Sequence, residues 1–521
     1  MREAIRFTIF AFALFAIIAA TFTWPVYGFI GIAIIIMVIG FYDINQKKHT
    51  ILRNFPVIGH MRYLLEMISP EIHQYFIESS TDGKPIDRNQ RSYIYSRAKL
   101  ELDTHPFGTQ LDVNADNYKW MRHSIYPAQR LSGPPRIRVG GPQCKQPYSS
   151  SILNISAMSY GALSKNAIEA LNKGAKAGGF SHNTGEGGIS GHHTHGGDLV
   201  WQIGTGYFGC RTEDGHFSPE NFEKNANRPE VKMIELKLSQ GAKPGHGGVL
   251  PAAKNNEEIA AIRGIRPHTE VLSPPGHTAF SDAYGLLHFI QQLRTLSNGK
   301  PVGFKLCIGS QDEFDDLCQK MVETGVRPDF ITVDGSEGGT GAAPIDFSNY
   351  VGMPWEKALI FVSDTLRGYD LKKDIRIVTS AKIITAFDIF KALCLGADIC
   401  GSARAMMMAL GCIQALKCDT NTCPTGVATN DPSLVRGLVV EDKWKRVRNY
   451  HGATIHDFLE LFMAAGCTHL KQMDRTLIYK QVNDKTMMYA TLYPEVKVGS
   501  YLKDMNSKQD EMPRMARQRL E

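Results

Sequence analysis

From about residue 150 the chain settles into a rhythm that narrows its fold more than any other feature: a short apolar or β-branched run, a glycine-rich loop, then helical spacing. The clearest runs are SILNISAMS (151–159), VKMIELKLS (231–239), VGFKLCIG (302–309), DFITVDG (329–335), IRIVTS (375–380) and ADICGS (397–402). Helical patterns at 279–297, 312–325, 355–369, 383–395 and 403–416 separate the later runs. Strands that alternate with helices, without the turn residues of hairpins, lie parallel in one sheet. A repeat of about 300 residues with its loops following the strands predicts an α/β fold, a closed (β/α)8 TIM barrel.

The N-terminus is of another kind. Residues 5–23 hold one charge and residues 25–42 none, and each approaches the ~20 apolar residues that cross a bilayer. Trp24 and Pro25 sit at the junction, where an interfacial aromatic and a tight turn belong. Arg2 and Arg6 precede the first span, and Lys47, Lys48 and Arg53 follow the second. Basic residues on both outer flanks predict a transmembrane hairpin over 1–44, anchored in the inner membrane with the catalytic domain facing the cytoplasm. A cleaved signal peptide is the competing reading; no A-x-A-like site precedes Thr21, and a second span follows. A single bent anchor is the other alternative.

Residues 45–150 read as a mixed cap, with helix-like apolar spacing over 61–78 and a Pro/Gly-rich boundary at LSGPPRIRVGGPQCKQP (131–147). The barrel is assigned to 151–480, closed by an amphipathic helix over 451–475, and 481–521 is assigned to a tail, charged and poor in apolar residues from 503 onward. A net charge of +6 spread over 521 residues gives no basic stripe for nucleic acid. Ten cysteines in a chain this long make no disulfide framework and suit a reducing compartment.

In a barrel of this kind chemistry belongs in the loops after the strands. Those loops read AMSYGALS (157–164), SHNTGEGG (181–188), SQGAKPGHGG (239–248) and DGSEGGTGAAP (334–344). Glycine at that density lets backbone N–H groups crowd a ligand, as phosphates and flat cofactor rings require. Lys305 lies inside an apolar strand and must face a polar barrel mouth, since an unpaired buried ammonium is costly. TSAK (379–382) and GSAR (401–404), at the last two strand ends, are candidates for a cofactor phosphate. His192, His193 and His195 invite a metal, but their spacing fits no standard zinc pattern and a polar loop explains them as well. Cys412, Cys418 and Cys423 are spaced C-x5-C-x4-C and followed by Pro424, a ligand set one short of the usual four.

Taken in order, MSYGALS, NTGEGG, QGAKPGHGG, SPPGH, GFKL, GGTGAAP and CIQALKCDTNTCPTGVAT resemble the FMN-binding synthase domain of glutamate synthase, over about residues 150–430. The resemblance implies an FMN-bearing barrel with a 3Fe–4S cluster on Cys412, Cys418 and Cys423 in the loop 411–428; a zinc or 4Fe–4S site with a fourth, non-cysteine ligand is the alternative. By residue matching, Met158, Ser159, Gly161, Asn183, Gly338, Gly339, Thr340, Ser380, Gly401 and Ser402 would line the flavin, with Lys305 at its N1/O2 side. Lys243 and Arg263 match positions around 2-oxoglutarate carboxylates, and Glu186 a carboxylate that handles protons near the imine. Glu186, Lys243 and Lys305 are thus the implied catalytic set. The implied reaction is reductive amination of 2-oxoglutarate to L-glutamate. Its electrons would come from ferredoxin or an NAD(P)H-oxidising subunit.

The pattern also departs from that family. No glutaminase with an N-terminal cysteine is expected in this chain, so ammonia would come from solution or a separate subunit. GHGGVLP stands where the family reads GEGGQLP, so His246 replaces a carboxylate and Val249 an amide. A different oxo-acid or imine is therefore a second candidate substrate. An electron-relay subunit with no substrate of its own is a third reading, which Lys243 and Arg263 oppose.

Overall fold

The computed structural model describes residues 25–101, 104–129, 131 and 133–503, with 15, 18 and 19. The chain divides into two compact units, Met1–Arg88 and Asn89–Glu521. The expected first span, 5–23, lies outside the described residues apart from 15, 18 and 19, as does the charged tail from 504 onward.

In the first unit, helix Pro25–Asn45 runs 21 residues, about 31 Å at 1.5 Å per residue. Over Tyr27–Asn45 its mean hydropathy is 2.1, so it is long and apolar enough to cross a membrane. The chain then turns through Thr50–Asn54 into helix Gly59–Ile72 and a π-helical turn, His73–Ile77. Asp43, fully buried, clamps that turn: its carboxylate accepts from Val57 N at 2.8 Å and meets His60 Nε2 at 2.9 Å.

The second unit is built on eight parallel strands closed into a barrel. They are β1 (Leu153–Ile155), β2 (His182–Asn183), β3 (Leu199–Ile203), β4 (Val231–Lys237), β5 (Val302–Leu306), β6 (Phe330–Asp334), β7 (Arg376–Ser380) and β8 (Ile399–Ser402). Closure comes from β8 pairing with β1 through Cys400↔Leu153 to Ser402↔Ile155. Around them lie α1 (Lys165–Gly178), α2 (Pro219–Ala226), α3 (Glu257–Arg263), α4 (Ala283–Leu296), α5 (Gln311–Thr324), α6 (Trp355–Gly368), α7 (Ala386–Cys394) and α8 (Arg404–Leu410). Several helices start where a small polar side chain ends the preceding loop. Ser164 accepts from Ala167 N, Ser310 from Glu313 N, and Thr385 from Asp388 N.

Because strand side chains alternate, every second residue enters the barrel, and the inward positions change character from floor to mouth. The floor is apolar: Val200, Met233, Phe330 and Ile399 pack on Val139 and Tyr148. Those two come from an antiparallel hairpin, 136–139 with 148–151, that plugs the N-terminal end. One layer up, Glu235 accepts from Asn183 Nδ2 at 2.8 Å, Gln202 Nε2 at 2.7 Å and Thr332 Oγ1. The top layer is charged and belongs to the site described below.

Three expectations are corrected. The pattern reading did not register β2 and β3 as strands, and a 3₁₀ turn, Gly191–His193, stands between them in place of a full helix. The closing helix, α9, runs Val440–Ala464 and not 451–475; its first turns are charged, so the apolar spacing shows late, and it packs on α1. The boundaries at 150 and 480 do not hold. Strand 119–121 pairs with 478–482, which turns at Asn483–Asp484 into 485–488, so 89–150 and 481–493 belong to the barrel unit. Asn483 and Asp484, with φ of 47° and 59°, form the left-handed two-residue turn that hairpins favour.

Candidate active site at the barrel mouth

The C-terminal ends of the strands carry two ion pairs, one buried and one half-buried. Lys305 Nζ on β5 lies 3.1 Å from Asp334 Oδ2 on β6. Burial opposes a charge on Lys305, but Asp334 and Glu235 outweigh it and hold the ammonium above its ordinary range. Asp334 is held ionised in turn by Lys305, by Gly241 N at 3.0 Å and by Ser380 Oγ at 2.7 Å. Gly241 has to be glycine: a Cβ there would sit 1.7 Å from Gly335 O. A cavity of about 40 Å³ lies on the axis, lined by Asn183, Glu235, Thr332, Ser380 and Gly401 among others.

The second pair joins Lys237 Nζ, the last residue of β4, to Glu186 Oε1 at 2.7 Å. Burial pushes the Glu186 carboxyl up, yet Lys237, Arg263 and Lys243 together pull it below the ordinary range. The three cations thus favour the ionised form of Glu186. Lys243 is one of them. Burial and the neighbouring Lys237 lower its ammonium to about 8, while Nζ donates to Gly247 O at 2.6 Å. Arg263 ends α3, donates to Tyr160 O at 3.1 Å and stacks 5.1 Å from the Phe208 ring. Its buried Nε has no hydrogen-bond partner. Gly187 leaves the space for this packing, since a Cβ there would meet Arg263 Nη2 at 2.8 Å.

His277, from SPPGH, bridges Tyr207 OH at 3.1 Å and Lys237 O at 3.0 Å, and burial lowers it to about 4, so it stays neutral. His246 turns to Gly247 O at 2.9 Å and packs edge-on against Phe347. Val249 pairs with Leu272 in a two-residue ladder. His192 meets Glu258 Oε1 at 2.8 Å, His193 is buried against Ser190, and His195 faces Glu169 at 3.9 Å. These three histidines take separate partners and form no common ligand set.

The remaining sequence candidates collect around this mouth. Met158, Ser159 and Gly161 lie in the β1–α1 loop, where Met158 N donates to Asn183 O. Asn183 itself is held by Glu235 and by Gly185 N, and Ser402 Oγ donates to Ile383 O at 2.6 Å. Ser380 Oγ and Ser402 Oγ both donate within the protein, to Asp334 and to Ile383 O. In the β7–α7 turn Ala381 and Lys382 hold φ of 135° and 47° without being glycine, a strained backbone of the kind that collects at ligand sites. Gly338, Gly339 and Thr340 form an open rim, and a Cβ on Gly339 would lie 3.4 Å from Arg404 Nη1. Glycine rim, open turn and buried arginine fit a flat ring system with an anionic tail.

The cysteine loop sits directly beside this cradle. Gly341 lies against Cys418, so close that a Cβ would be 2.9 Å from the cysteine Cβ. Lys254, 3% exposed, fastens the loop by donating to Cys418 O at 2.6 Å, Ala428 O at 3.0 Å and Ala162 O at 3.2 Å. Asn430 Nδ2 adds a bond to Gly161 O at 3.0 Å. Cys412, Cys418 and Cys423 are free thiols that feel one another's charge. Burial pushes Cys412 up to about 12, whereas hydrogen bonds from Thr425 and from the backbone at Thr425, Val427 and Ala428 outweigh burial at Cys423 and lower it. Three such donors on a loop stapled to the mouth fit a thiolate-bound centre. Lys237, Asp334, Glu235, Lys254 and Arg404 were missed in the pattern reading. A charged residue within or just after an apolar strand, the signal that exposed Lys305, would have found the first three.

A closed parallel barrel with its charges gathered at the strand C-termini is an enzyme of the (β/α)8 class. Residues 143–468 match the family model described as the conserved region in glutamate synthase, and the chain belongs to the glutamate synthase family, an oxidoreductase family. It is 39% identical over 482 residues to the glutamate synthase large subunit-like protein YerD of Bacillus subtilis, covering 84% of this chain and 91% of that one. It is 35% identical over 327 residues to the archaeal glutamate synthase [NADPH] of Methanocaldococcus jannaschii, of which it spans 60%. Among solved structures, a flavocytochrome b2 variant with benzoylformate is similar at TM-score 0.43 and 13% identity over 80% of this chain and 85% of that one. The fold stands on the strand pairing above and not on that likeness.

Proposed function

We propose that the chain is a membrane-anchored reductive aminase. Its barrel mouth would hold FMN, its three cysteines a 3Fe–4S cluster, and its substrates would be 2-oxoglutarate and ammonia. The observation that carries this reading is the contact between the cysteine loop at Cys418 and the glycine-rich rim at Gly341, with Lys254 tying the loop to Ala162 beside the cradle. When bound, the two groups supply electron transfer and a hydride for the imine carbon.

The protein's own residues do the rest. Lys243 and Arg263 bind the acid's carboxylates and hold its α-carbon toward the mouth. Ammonia condenses with the keto group and water leaves. A proton on the imine nitrogen keeps the imine electrophilic, and Glu186 exchanges that proton while balancing Lys237, Lys243 and Arg263. The net change is 2-oxoglutarate, ammonium, two electrons and two protons to glutamate and water. Lys305, facing the cradle, stabilises negative charge on a bound reduced ring. The electron donor would be ferredoxin or an NAD(P)H-oxidising subunit, and nitrogen would come from solution or an ammonia-supplying subunit. Helix Pro25–Asn45 would anchor the barrel on the cytoplasmic face of the inner membrane.

The test is direct. Purified without air and chemically reduced, the full chain should be reoxidised by 2-oxoglutarate plus ammonium with stoichiometric glutamate. A protein free of iron and flavin, or one that no oxo-acid reoxidises, would refute the proposal. Val249 favours a second reading, an oxo-acid with a less polar side chain. It is half-buried next to Gly248, whose Cβ position is 3.1 Å from Glu186 Oε1. Faster reoxidation by branched 2-oxo acids than by 2-oxoglutarate would select it.

A further inference from the structure

Past the apolar helix, the first unit carries a second apolar surface that the fold leaves in water. Ile58, Met61, Leu65, Ile68, Ile72 and Phe76 recur at helical spacing along Gly59–Ile72 and its π-turn, and so share one face. Ile58 is 75% exposed, Met61 61%, Leu65 53% and Phe76 84%, with Ile68 and Ile72 half-buried between them. A helix of a soluble domain turns such a stripe to a core, and an exposed stripe this long marks a surface that meets something apolar. The opposite side carries His60, Tyr63 and Glu66, with Met67 as an isolated exposed apolar residue among them.

Three features say what it meets. The chain reaches this helix from Asn45 through one short helix, Thr50–Asn54, and from Tyr27 onward most side chains of the apolar helix are exposed, Phe29 at 69% and Met37 at 71%. The connection is basic, with Lys47, Lys48 and Arg53, whereas Arg62, inside the helix, is paired to Glu66 at 2.8 Å. The Asp43 clamp on Val57 N and His60 fixes the turn between the helices, so the second cannot swing freely away from the end of the first.

We infer that residues 58–77 lie in the plane of the bilayer surface, apolar stripe down, among anionic headgroups drawn by the basic connection. This rests on the spanning reading of Pro25–Asn45. The occupant of the stripe is lipid, not a second copy of the chain.

The experiment uses the full chain in vesicles of mixed zwitterionic and anionic phospholipid, with a fluorescent amino acid placed singly at Met37, Leu65, Met67 or Phe76. Lipids brominated near the headgroup end of the tail should quench Leu65 and Phe76 at least twofold. They should leave Met67, on the opposite face, to aqueous iodide. Lipids brominated deep in the tail should quench Met37. Asp43→Ala should weaken the quenching at Leu65 and leave Met37 unchanged. If Met37 is quenched by lipid while Leu65 and Phe76 answer to iodide, or to neither quencher, the inference is overturned and the anchor survives. Shielding from both would mean a protein covers the stripe. If Met37 is also untouched by lipid, the spanning reading fails with it.

Discussion

Lys243 shows how much a single buried cation can decide. With its ammonium lowered to about 8 by burial and by Lys237, it is protonated at neutral pH and loses its charge just above. The KM for a 2-oxo acid should therefore stay flat up to about pH 8 and climb toward tenfold per pH unit beyond it. Lys243→Met should show a KM raised more than tenfold and without that limb, with flavin content unchanged, as steady-state kinetics across pH would record. Glu235 makes a complementary point inside the barrel. Its carboxylate takes three hydrogen bonds from Asn183, Gln202 and Thr332. Glu235→Gln turns one acceptor oxygen into a donor facing donors, at a cost of about 1.5–3 kcal/mol. That should appear as a lower urea midpoint at unchanged slope. Lys305 was readable because an ammonium in an apolar run must either face a polar barrel mouth or snorkel out from the strand end. Glu235, Lys237 and Asp334 carry the same signal, but their pairing depends on neighbours in β2, β3 and β5, which spacing along one strand does not reveal.

Among elements, the cysteine loop is the most dependent on outside support. Lys254 holds three of its surrounding carbonyls, and Asn421 and Asn430 tie it to Ala253 and Gly161. Lys254→Met keeps the length but leaves those carbonyls buried without a donor. Limited proteolysis should then cut within 411–428 at least severalfold faster than in the parent, while the barrel fragment stays intact. The three cysteines were legible by spacing alone; their fastening was not, because Lys254 lies far off in sequence and its role exists only in the fold. The same holds for β2, whose two residues are too short to show a period. The hairpin 478–488 differs, since Asn483–Asp484 between alternating residues was a turn signal that the charged surroundings masked.

For the molecule as a whole, Glu356 on α6 is a junction between the N-terminal strand 119–121, α7 and the C-terminal segment. Lys119 Nζ lies 2.6 Å from its carboxylate, Lys391 Nζ 2.9 Å, and Tyr489 OH donates at 3.0 Å. Burial works to raise this carboxyl, but Lys391 and Lys119 overpower it and bring it to about 2 from an ordinary 4.5. A carboxyl lowered in the fold stabilises it fully above the unfolded value and loses that contribution as pH falls through the folded one. Stability should thus decline by about 3 kcal/mol between pH 4.5 and 2 on account of this group. Glu356→Gln should flatten that part of a urea-against-pH curve. The barrel itself was legible because alternation and helical period repeat locally. The unit boundaries were not, because strand 119–121 finds its partner at 478–482, and no local pattern reports so distant a pairing.

The plugged floor has a consequence for traffic. With hairpin 136–151 stoppering one end by way of Val139 and Tyr148, every molecule that reaches the axis must come and go by the opposite opening. On the proposed chemistry, keto acid, ammonia and amino-acid product would all queue at a single doorway.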